Sequence, residues 1–271
     1  MNFLLEILKN KRARVEVAKQ QVSLEVVRAN AKSVRASTPS HALSNALTTD
    51  AINIIAEFKR KSPSKGPIRP NANPTVIANA YRAGGAAAIS VLTEEDYFNG
   101  SLDDLREIKV AVDLPVLRKD FVVDEYQVYE AASAGADAVL LIVAALEDPV
   151  LKRLLDLTEN ELQMDALVEV HTGQEMKRAK NLGAHLIGVN NRDLHTFRVS
   201  LETSVKLSHE APDNSILISE SGLETNDDLR RLKEVGYRGF LIGESLMRSE
   251  DPAASLLALL QKGSKVTDDA R

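Results

Sequence analysis

The sequence predicts an α/β protein with the architecture of a (β/α)8 TIM barrel and an extra helical segment at its N-terminus. From about residue 51 onward, short apolar runs alternate with segments of helical period. Eight such strand–helix pairs over roughly 220 residues match the size of a closed barrel. An open, doubly wound sheet is the alternative, but it usually has fewer strands and a Gly-rich fingerprint after the first strand, which this sequence lacks.

The elements follow one another regularly once the first 50 residues are set aside as the helical extension, in which 36–50 form a bridge into the first strand. We expect one barrel domain over 1–271, with the extension at 1–50, the barrel at 51–263 and a frayed tail at 264–271. Strands are expected at 52–59, 87–93, 114–121, 136–144, 166–172, 185–193, 215–222 and 239–247. Helices are expected at 75–83, 101–112, 124–134, 148–162, 173–182, 200–211, 225–235 and 252–262.

Composition excludes several classes of protein. A formal net charge of −5 argues against a nucleic-acid binder, because a phosphate backbone needs a basic surface. The absence of cysteine excludes disulfides and thiol nucleophiles. The longest apolar stretch, at 136–146, is too short to cross a bilayer, and the N-terminus lacks the cleavage site of a signal peptide. We therefore expect a soluble, cytoplasmic protein with no nucleic-acid or membrane partner, whose oligomeric state the sequence leaves open, a monomer being allowed.

Charged residues interrupt the apolar strands near their C-terminal ends, where barrels of this type carry their active sites. Side chains alternate along a strand, so an apolar residue lower down shares a face with a polar residue nearer the mouth. Desolvated ion pairs seldom add net stability, so charged residues at several strand ends favour a functional site over structural salt bridges. We therefore expect these polar residues to converge on one pocket. The alternative is a set of structural salt bridges that plugs the barrel end. The expected cluster contains Glu57, Lys59, Lys119, Glu169, Asn190, Arg192 and Glu220.

A phosphate site is predicted at the ends of the seventh and eighth strands. The sequences there, SESGL at 219–223 and IGESLM at 242–247, place Gly beside small hydroxyl residues. In these barrels the loops after strands 7 and 8 often bind phosphate through backbone N–H groups. Ser62 could add a hydroxyl, and Lys59 or Lys65 a positive charge. We expect Glu244 to face the ligand with its backbone N–H and not with its carboxylate.

Other polar residues are weaker candidates. His171 is expected to be neutral and to support the site without acting as an acid or a base, and His195 is expected to be exposed. No spacing of His, Asp and Glu is typical of a metal site, so we expect no metal and no cofactor.

Seven segments together resemble the indole-3-glycerol phosphate synthase family, in order and at nearly every strand end from about residue 51 to 248. They read IIAEFKRKSPSKG, LTEEDYFNGS, LPVLRKDFVVDEYQ, ALVEVHT, IGVNNRDL, ISESGL and FLIGESLMR. The resemblance implies a carboxy-lyase of tryptophan biosynthesis. Its substrate would be 1-(2-carboxyphenylamino)-1-deoxyribulose 5-phosphate, which closes to indole-3-glycerol phosphate with loss of CO₂ and water.

The resemblance also implies roles for individual residues. Lys119 resembles the general acid that protonates the ribulose carbonyl oxygen, Glu169 the base and Glu57 a carboxylate that assists proton movement. Lys59 would hold the substrate and stabilise developing charge, Asn190 and Glu220 would orient the reacting centre, and Arg192 would meet the substrate carboxylate. The phosphate would be held by Ser62 and the backbone at Ser221, Gly222, Gly243 and Glu244. The aromatic half of the pocket would be lined by Phe98, Phe121, Leu194 and Leu241.

Within that resemblance, one position departs from the usual pattern, because Glu244 stands where some relatives have Ser. A buried Lys near a second Lys is expected to have a lowered pKa, which would suit proton delivery. Three other readings of the sequence stay open: phosphoribosylanthranilate isomerase, which is expected to use a Cys that this chain lacks; a non-catalytic barrel that binds a sugar phosphate; and an aldolase with a Schiff-base Lys.

Overall fold

Eight parallel strands form a closed barrel in the computed structural model, which describes residues 3–193 and 196–261. Each strand pairs with its neighbours in chain order, and the first strand closes the barrel by pairing with the last through the register Asn53↔Gly239. The predicted (β/α)8 barrel is therefore confirmed. The strands are β1 Asn53–Phe58, β2 Ala88–Leu92, β3 Val116–Lys119, β4 Ala138–Ile142, β5 Asp165–Val170, β6 Leu186–Asn190, β7 Ile216–Glu220 and β8 Tyr237–Ile242.

Helices surround the barrel, and six of the twelve described helices begin where a short polar side chain caps the first turn. Such a side chain accepts a backbone N–H that the helix itself cannot satisfy. The capping residues are Asn73, Ser101, Asp124, Thr172, Thr225 and Asp251. The helices are α1 Phe3–Gln21, α2 Leu24–Arg35, α3 Ala42–Ala46, α4 Pro74–Ala83, α5 Leu102–Ala111, α6 Glu125–Ser133, α7 Asp148–Asp156, α8 Gly173–Leu182, α9 Glu202–Ser208, α10 Asn226–Glu234, α11 Glu244–Arg248 and α12 Pro252–Leu260.

Several details differ from the sequence prediction. The eighth strand ends at Ile242 and not at 247, because residues 244–248 form the short helix α11. The helix expected at 148–162 is α-helical only to Asp156, and a π-helical turn covers Leu157–Glu161. After β1, Lys61–Ser62 pairs with Gly66–Pro67 in a small hairpin that apolar periodicity cannot reveal, since its strands have two residues each.

The barrel interior is filled by aliphatic side chains. They lie on the N-terminal side of the polar residues at the C-terminal end of the barrel, which we call the mouth. Ile55, Leu117, Leu167 and Ile218 are all fully buried in this inner cluster. Because side chains alternate along a strand, the residue two positions further on in each strand also points inward. Those four residues are Glu57, Lys119, Glu169 and Glu220, so the fold itself directs them to the C-terminal mouth.

The N-terminal extension contacts both ends of the barrel. Leu43 of α3 and Leu47, which follows this helix, pack into the inner cluster from the N-terminal end. There, Asp165 Oδ2 accepts the N–H groups of Leu43 and Ser44 at 2.9 and 3.0 Å. At the C-terminal end, the buried Lys11 of α1 lies 2.9 Å from Asp120 Oδ1, next to the end of β3. Among the helices of the described ranges, none has the length and apolar character needed to cross a membrane. The expected tail at 264–271 lies outside the described residues.

Candidate active site

Lys119 lies at the centre of the polar mouth, between two buried carboxylates. Its Nζ atom is 2.8 Å from Glu169 Oε2 and 2.8 Å from Glu220 Oε2. The side chains of the two glutamates are 3% and 2% exposed, and that of Lys119 is 12% exposed. Three strands that are distant in sequence therefore bring one cation and two anions together where little solvent can screen them.

A second ion pair lies at the C-terminal end of β1. Lys59 Nζ is 2.5 Å from Glu57 Oε1, and both side chains are largely buried. The Glu57 carboxylate packs so closely on Gly243 that a Cβ atom at that position would clash with it. In the same way, Gly188 makes room for the carboxylate of Glu220. The two glycines are thus required by the close approach of acidic side chains to the backbone.

The charges of the cluster shift the pKa values of its members. Burial lowers the pKa of Lys119, but the carboxylates of Glu169, Glu220 and Glu57 outweigh burial and raise it. The expectation of a lowered lysine pKa was therefore wrong, since the nearest charges are acidic. Burial alone would raise the pKa of Glu169, but Lys119 and His171 reverse this and lower it.

Glu220 behaves differently from Glu169 although both contact the same lysine. Burial raises the pKa of Glu220 to about 7, and Lys119 offsets that rise only in part because Glu169 shares the same cation. Its Oε1 atom is buried without a hydrogen-bond partner among the described residues. The cluster thus holds one firmly ionised carboxylate and one that can be protonated near neutral pH, which is the arrangement that acid–base chemistry needs.

His171 lies directly beside the cluster, between two carboxylates. Its Nε2 atom is 3.3 Å from Glu169 Oε1, and its Nδ1 atom is 3.1 Å from Glu175 Oε2. Burial lowers the pKa of His171, but the two carboxylates outweigh burial and raise it to about 10. The expectation of a neutral His171 was therefore wrong. Glu175 was not singled out from the sequence, although the Thr172-to-Glu175 spacing is typical of a helix start.

The expected phosphate end has features that suit an anion. Ser62 is 7% exposed, and its buried hydroxyl has no hydrogen-bond partner among the described residues. Ser221 and Gly222 are both left-handed, with φ of 68° and 78°, so the chain turns sharply after β7. The Glu244 carboxylate accepts from Arg248 Nε at 3.2 Å within its own helix, and the orientation of Glu244 toward a phosphate stays a prediction.

The residues expected to line an aromatic pocket are partly brought together. The rings of Phe98 and Phe121 lie with their centroids 6.4 Å apart and tilted by 40°. Phe121 also packs against the inner cluster that contains Leu241. The fourth expected residue, Leu194, lies outside the described residues. The aromatic wall therefore stands at the ends of β2, β3 and β8.

Asn190 and Arg192 are placed less centrally than expected. Asn190 pairs in register with Glu220, but its Oδ1 atom accepts the backbone N–H of Arg192 at 3.0 Å. The Arg192 guanidinium donates to the carbonyl of Phe197 at 3.3 Å, and none of its described contacts reaches the carboxylate cluster. The neighbouring Asn191, which the sequence did not single out, is buried and donates to Ser219 Oγ at 2.9 Å, which ties the loop after β6 to β7.

Comparison with known proteins gives one consistent family. Residues 4–259 match the family model described as indole-3-glycerol phosphate synthase. Proteins named indole-3-glycerol phosphate synthase are 42% identical in Bacteroides thetaiotaomicron, over 96% of this chain and 98% of that protein, and 48% identical in Mycolicibacterium gilvum, over 95% and 93%. These alignments include every strand of the barrel.

Solved structures of more distant proteins share the fold. A 3-hexulose-6-phosphate synthase from Salmonella typhimurium has a TM-score of 0.63 at 13% identity and covers 78% of this chain and 97% of its own. Thiamine phosphate pyrophosphorylase from Pyrococcus furiosus has a TM-score of 0.58 at 18% identity, over 80% and 95%. At this level of identity the likeness concerns the barrel alone.

Proposed function

Since this chain belongs to the indole-3-glycerol phosphate synthase family, we propose that it carries out the family's reaction with the lysine–carboxylate cluster at the mouth of its barrel. The enzyme is a carboxy-lyase of tryptophan biosynthesis. It closes 1-(2-carboxyphenylamino)-1-deoxyribulose 5-phosphate to indole-3-glycerol phosphate, CO₂ and water. The roles of single residues are the part that is proposed here.

Lys119 is the proposed general acid of ring closure. When the aromatic ring carbon attacks the ribulose carbonyl carbon, the carbonyl oxygen gains negative charge and needs a proton. The carboxylates around Lys119 raise its pKa, so its ammonium group is fully protonated when the substrate arrives. The substrate oxygen then replaces one of the two carboxylates as the partner of Nζ. The substrate carboxylate leaves as CO₂, which restores the aromatic ring.

Glu169 is the proposed base of the dehydration that follows. In that step a proton and the hydroxyl group leave the new five-membered ring as water. The lowered pKa of Glu169 keeps it ionised and able to accept the proton. Glu57 assists proton movement and Lys59 holds the substrate and stabilises charge, while either lysine can protonate the departing hydroxyl. Glu220 and Asn190, which are neighbours in register, orient the reacting centre.

The phosphate and the aromatic ring of the substrate are held at opposite ends of the pocket. The free hydroxyl of Ser62 and the backbone at Ser221, Gly222, Gly243 and Glu244 bind the phosphate. Phe98, Phe121, Leu194 and Leu241 cover the aromatic ring, and Arg192 meets its carboxylate after leaving the Phe197 carbonyl. Fixing both ends bends the substrate toward closure, which makes the ring-forming step effectively unimolecular.

The observation that carries the proposal is the position of Lys119 between Glu169 and Glu220. A barrel that only binds a sugar phosphate has no need for a buried acid–base set. The decisive experiment incubates the purified protein with the carboxyphenylamino-ribulose phosphate and follows indole fluorescence, with EDTA present because the proposal requires no metal. Borohydride added with substrate should trap no adduct, whereas a Schiff-base aldolase would be trapped.

The proposal includes the setting in which the enzyme works. We infer a cytoplasmic protein that acts on a small phosphorylated molecule, with no nucleic-acid or membrane partner. Residues from one chain make up the proposed site, so a monomer suffices, and size-exclusion chromatography with light scattering would measure the state. We also propose that the chain acts as one domain, since α1 and α3 both contact the barrel.

A further inference from the structure

The imidazole of His171 connects the proposed base to a second carboxylate outside the cluster. Its Nε2 atom contacts Glu169 Oε1 at 3.3 Å, and its Nδ1 atom lies 3.1 Å from Glu175 Oε2. The histidine side chain is only 8% exposed, and Nε2 completes no hydrogen bond among the described residues, so its one described ionic contact is the 3.3 Å ion pair with Glu169. Glu169 is therefore the group toward which Nε2 is directed.

Glu175 is held in place independently of the imidazole. Its carboxylate accepts the backbone N–H of His171 at 2.7 Å, and its own N–H donates to Thr172 Oγ1 at 3.2 Å. These bonds are made at the start of α8 by groups other than the imidazole. A carboxylate fixed at Nδ1 orients the ring and leaves Nε2–H pointing at the partner, as an acidic group behind an active-site histidine commonly does.

The two oxygens of Glu169 have different partners. Oε2 contacts Lys119 at 2.8 Å, and Oε1 contacts His171. The Lys119 contact has to break during the reaction, because the proposed proton transfer takes Nζ to the substrate oxygen. At that moment a carboxylate that is 3% exposed would lose its strongest partner. A buried carboxylate left without a partner either takes up a proton or rotates away.

We propose that His171 is a positioning residue that holds Glu169 by Oε1 while Lys119 leaves, so that Oε2 becomes free and stays aimed at the proton it removes. This inference rests on the proposed function and deepens it. Because the two oxygens of Glu169 have different partners, the same carboxylate can first pair with the general acid and later serve as the base. Glu175 takes part only by orienting the imidazole.

The proposal predicts a change in the ionisation of Glu169 as well as in its position. The groups that act on His171 are Glu169 from β5, the strand that His171 follows, and Glu175 from α8, with Lys119 and Glu220 behind Glu169 across the barrel. Removal of the imidazole leaves Lys119 as the only cation in contact with Glu169 through a described ion pair. The pKa of Glu169 should rise, and the acid limb of the kcat/KM profile should move to higher pH.

The test compares His171→Ala and His171→Gln with a matched control at the other end of the barrel. His41 Nδ1 lies 3.5 Å from Asp165 Oδ1, which makes a second histidine–carboxylate pair, far from the mouth. We expect His171→Ala to lower kcat by about 10- to 100-fold while KM changes less than about 3-fold, because the substrate contacts remain. His171→Gln keeps an N–H donor and should recover part of the loss. His41→Asn should leave kcat, KM and the pH profile unchanged.

Glu175→Gln provides a second test if His171→Ala does not fold, as judged by circular dichroism and thermal melting. It keeps an acceptor for the His171 N–H but removes the charge behind the ring, so kcat should fall about 3- to 10-fold and the acid limb should move in the same direction. If the wild-type protein forms no indole product, the proposed function fails. If the wild type is active and folded His171→Ala or Glu175→Gln keeps its kcat and its acid limb, the positioning role alone is overturned.

Discussion

The Nζ atom of Lys119 lies 2.8 Å from Oε2 of Glu169, although the two residues are 50 positions apart in the chain. They lie near the C-terminal ends of β3 and β5, which are separated by β4, and each follows a fully buried leucine at the same parity, Leu117 and Leu167. Their contact is therefore a consequence of strand alternation in a closed barrel. It places the proposed acid and the proposed base within reach of one small molecule.

The first prediction concerns this pair. Lys119→Ala and Glu169→Gln should each lower kcat by about 100- to 10,000-fold, because each removes a proton donor or acceptor that nothing else in the site replaces. Indole fluorescence measures the turnover, and circular dichroism checks the fold. Near-normal turnover in both variants would contradict the assigned roles.

A matched control for the lysine is available on the opposite side of the sheet. Lys109 pairs with the buried Asp137 at 2.5 Å, close to the N-terminal end of β3. Lys109→Ala removes a lysine–carboxylate pair of similar kind without touching the mouth. It should reduce the free energy of unfolding and leave kcat unchanged, which separates loss of chemistry from loss of a buried ion pair.

The second prediction concerns the phosphate end. Ser62→Ala should raise KM by about 10-fold with a smaller effect on kcat, because a buried hydroxyl that is free to donate would contribute one hydrogen bond to a charged group. Ser64, two residues further along the same hairpin and exposed, is the control, and Ser64→Ala should match the wild type. Equal KM values for the two variants would place the phosphate elsewhere.

The sequence predicted most of the fold because strand periodicity and helix caps are local signals. Lys119, Glu169 and Glu220 were predicted to meet because each shares a strand face with a buried aliphatic residue and lies nearer the C-terminal end of its strand. The charge of His171 was not predicted, since it depends on Glu175 across a helix start.

The contacts of the N-terminal extension could not be predicted from the sequence either. Lys11 meets Asp120 across more than one hundred positions, and neither residue carries a periodic signal that points to the other. Asn190 and Asn191 are adjacent polar residues at a strand end, where periodicity gives no indication of which one turns into the protein interior. Only the tertiary structure distinguishes the residue that joins a buried network from the one that remains at the mouth.

The third prediction is a pH dependence of stability that comes from His171. The folded state raises its pKa to about 10, above the ordinary value of 6.5, so the protonated ring stabilises the fold below about pH 6.5 and this contribution is lost as the pH rises toward 10. The raised pKa of Glu220, about 7, affects stability only between about pH 4.5 and 7, so measurements from pH 7.5 to 10 isolate the histidine.

Urea unfolding over that range compares the wild type with His171→Gln. The free energy of unfolding of the wild type should fall relative to the variant, with a difference in slope of up to about 1.4 kcal/mol per pH unit. Parallel curves would mean that His171 binds no extra proton in the folded protein, and the ion pairs with Glu169 and Glu175 would then not form in solution.

The last prediction concerns the helix α1 and its buried lysine. Lys11 is 4% exposed and contacts Asp120, whose side chain is fully buried and is also contacted by Arg118 at 3.2 Å. Lys11→Met should lower the free energy of unfolding by about 2–3 kcal/mol, because Asp120 loses one of two cations that keep its carboxylate ionised in the interior. Lys19, on the same helix as Lys11, makes a partly exposed pair with Asp124, the N-cap of α6, and Lys19→Met should cost less than about 1 kcal/mol. Urea melts at pH 7 measure both.

Because Asp120 lies between Lys119 and Phe121, Lys11→Met should also lower kcat, whereas Lys19→Met should not. Equal effects of the two variants on stability and turnover would show that α1 does not support the site through Lys11.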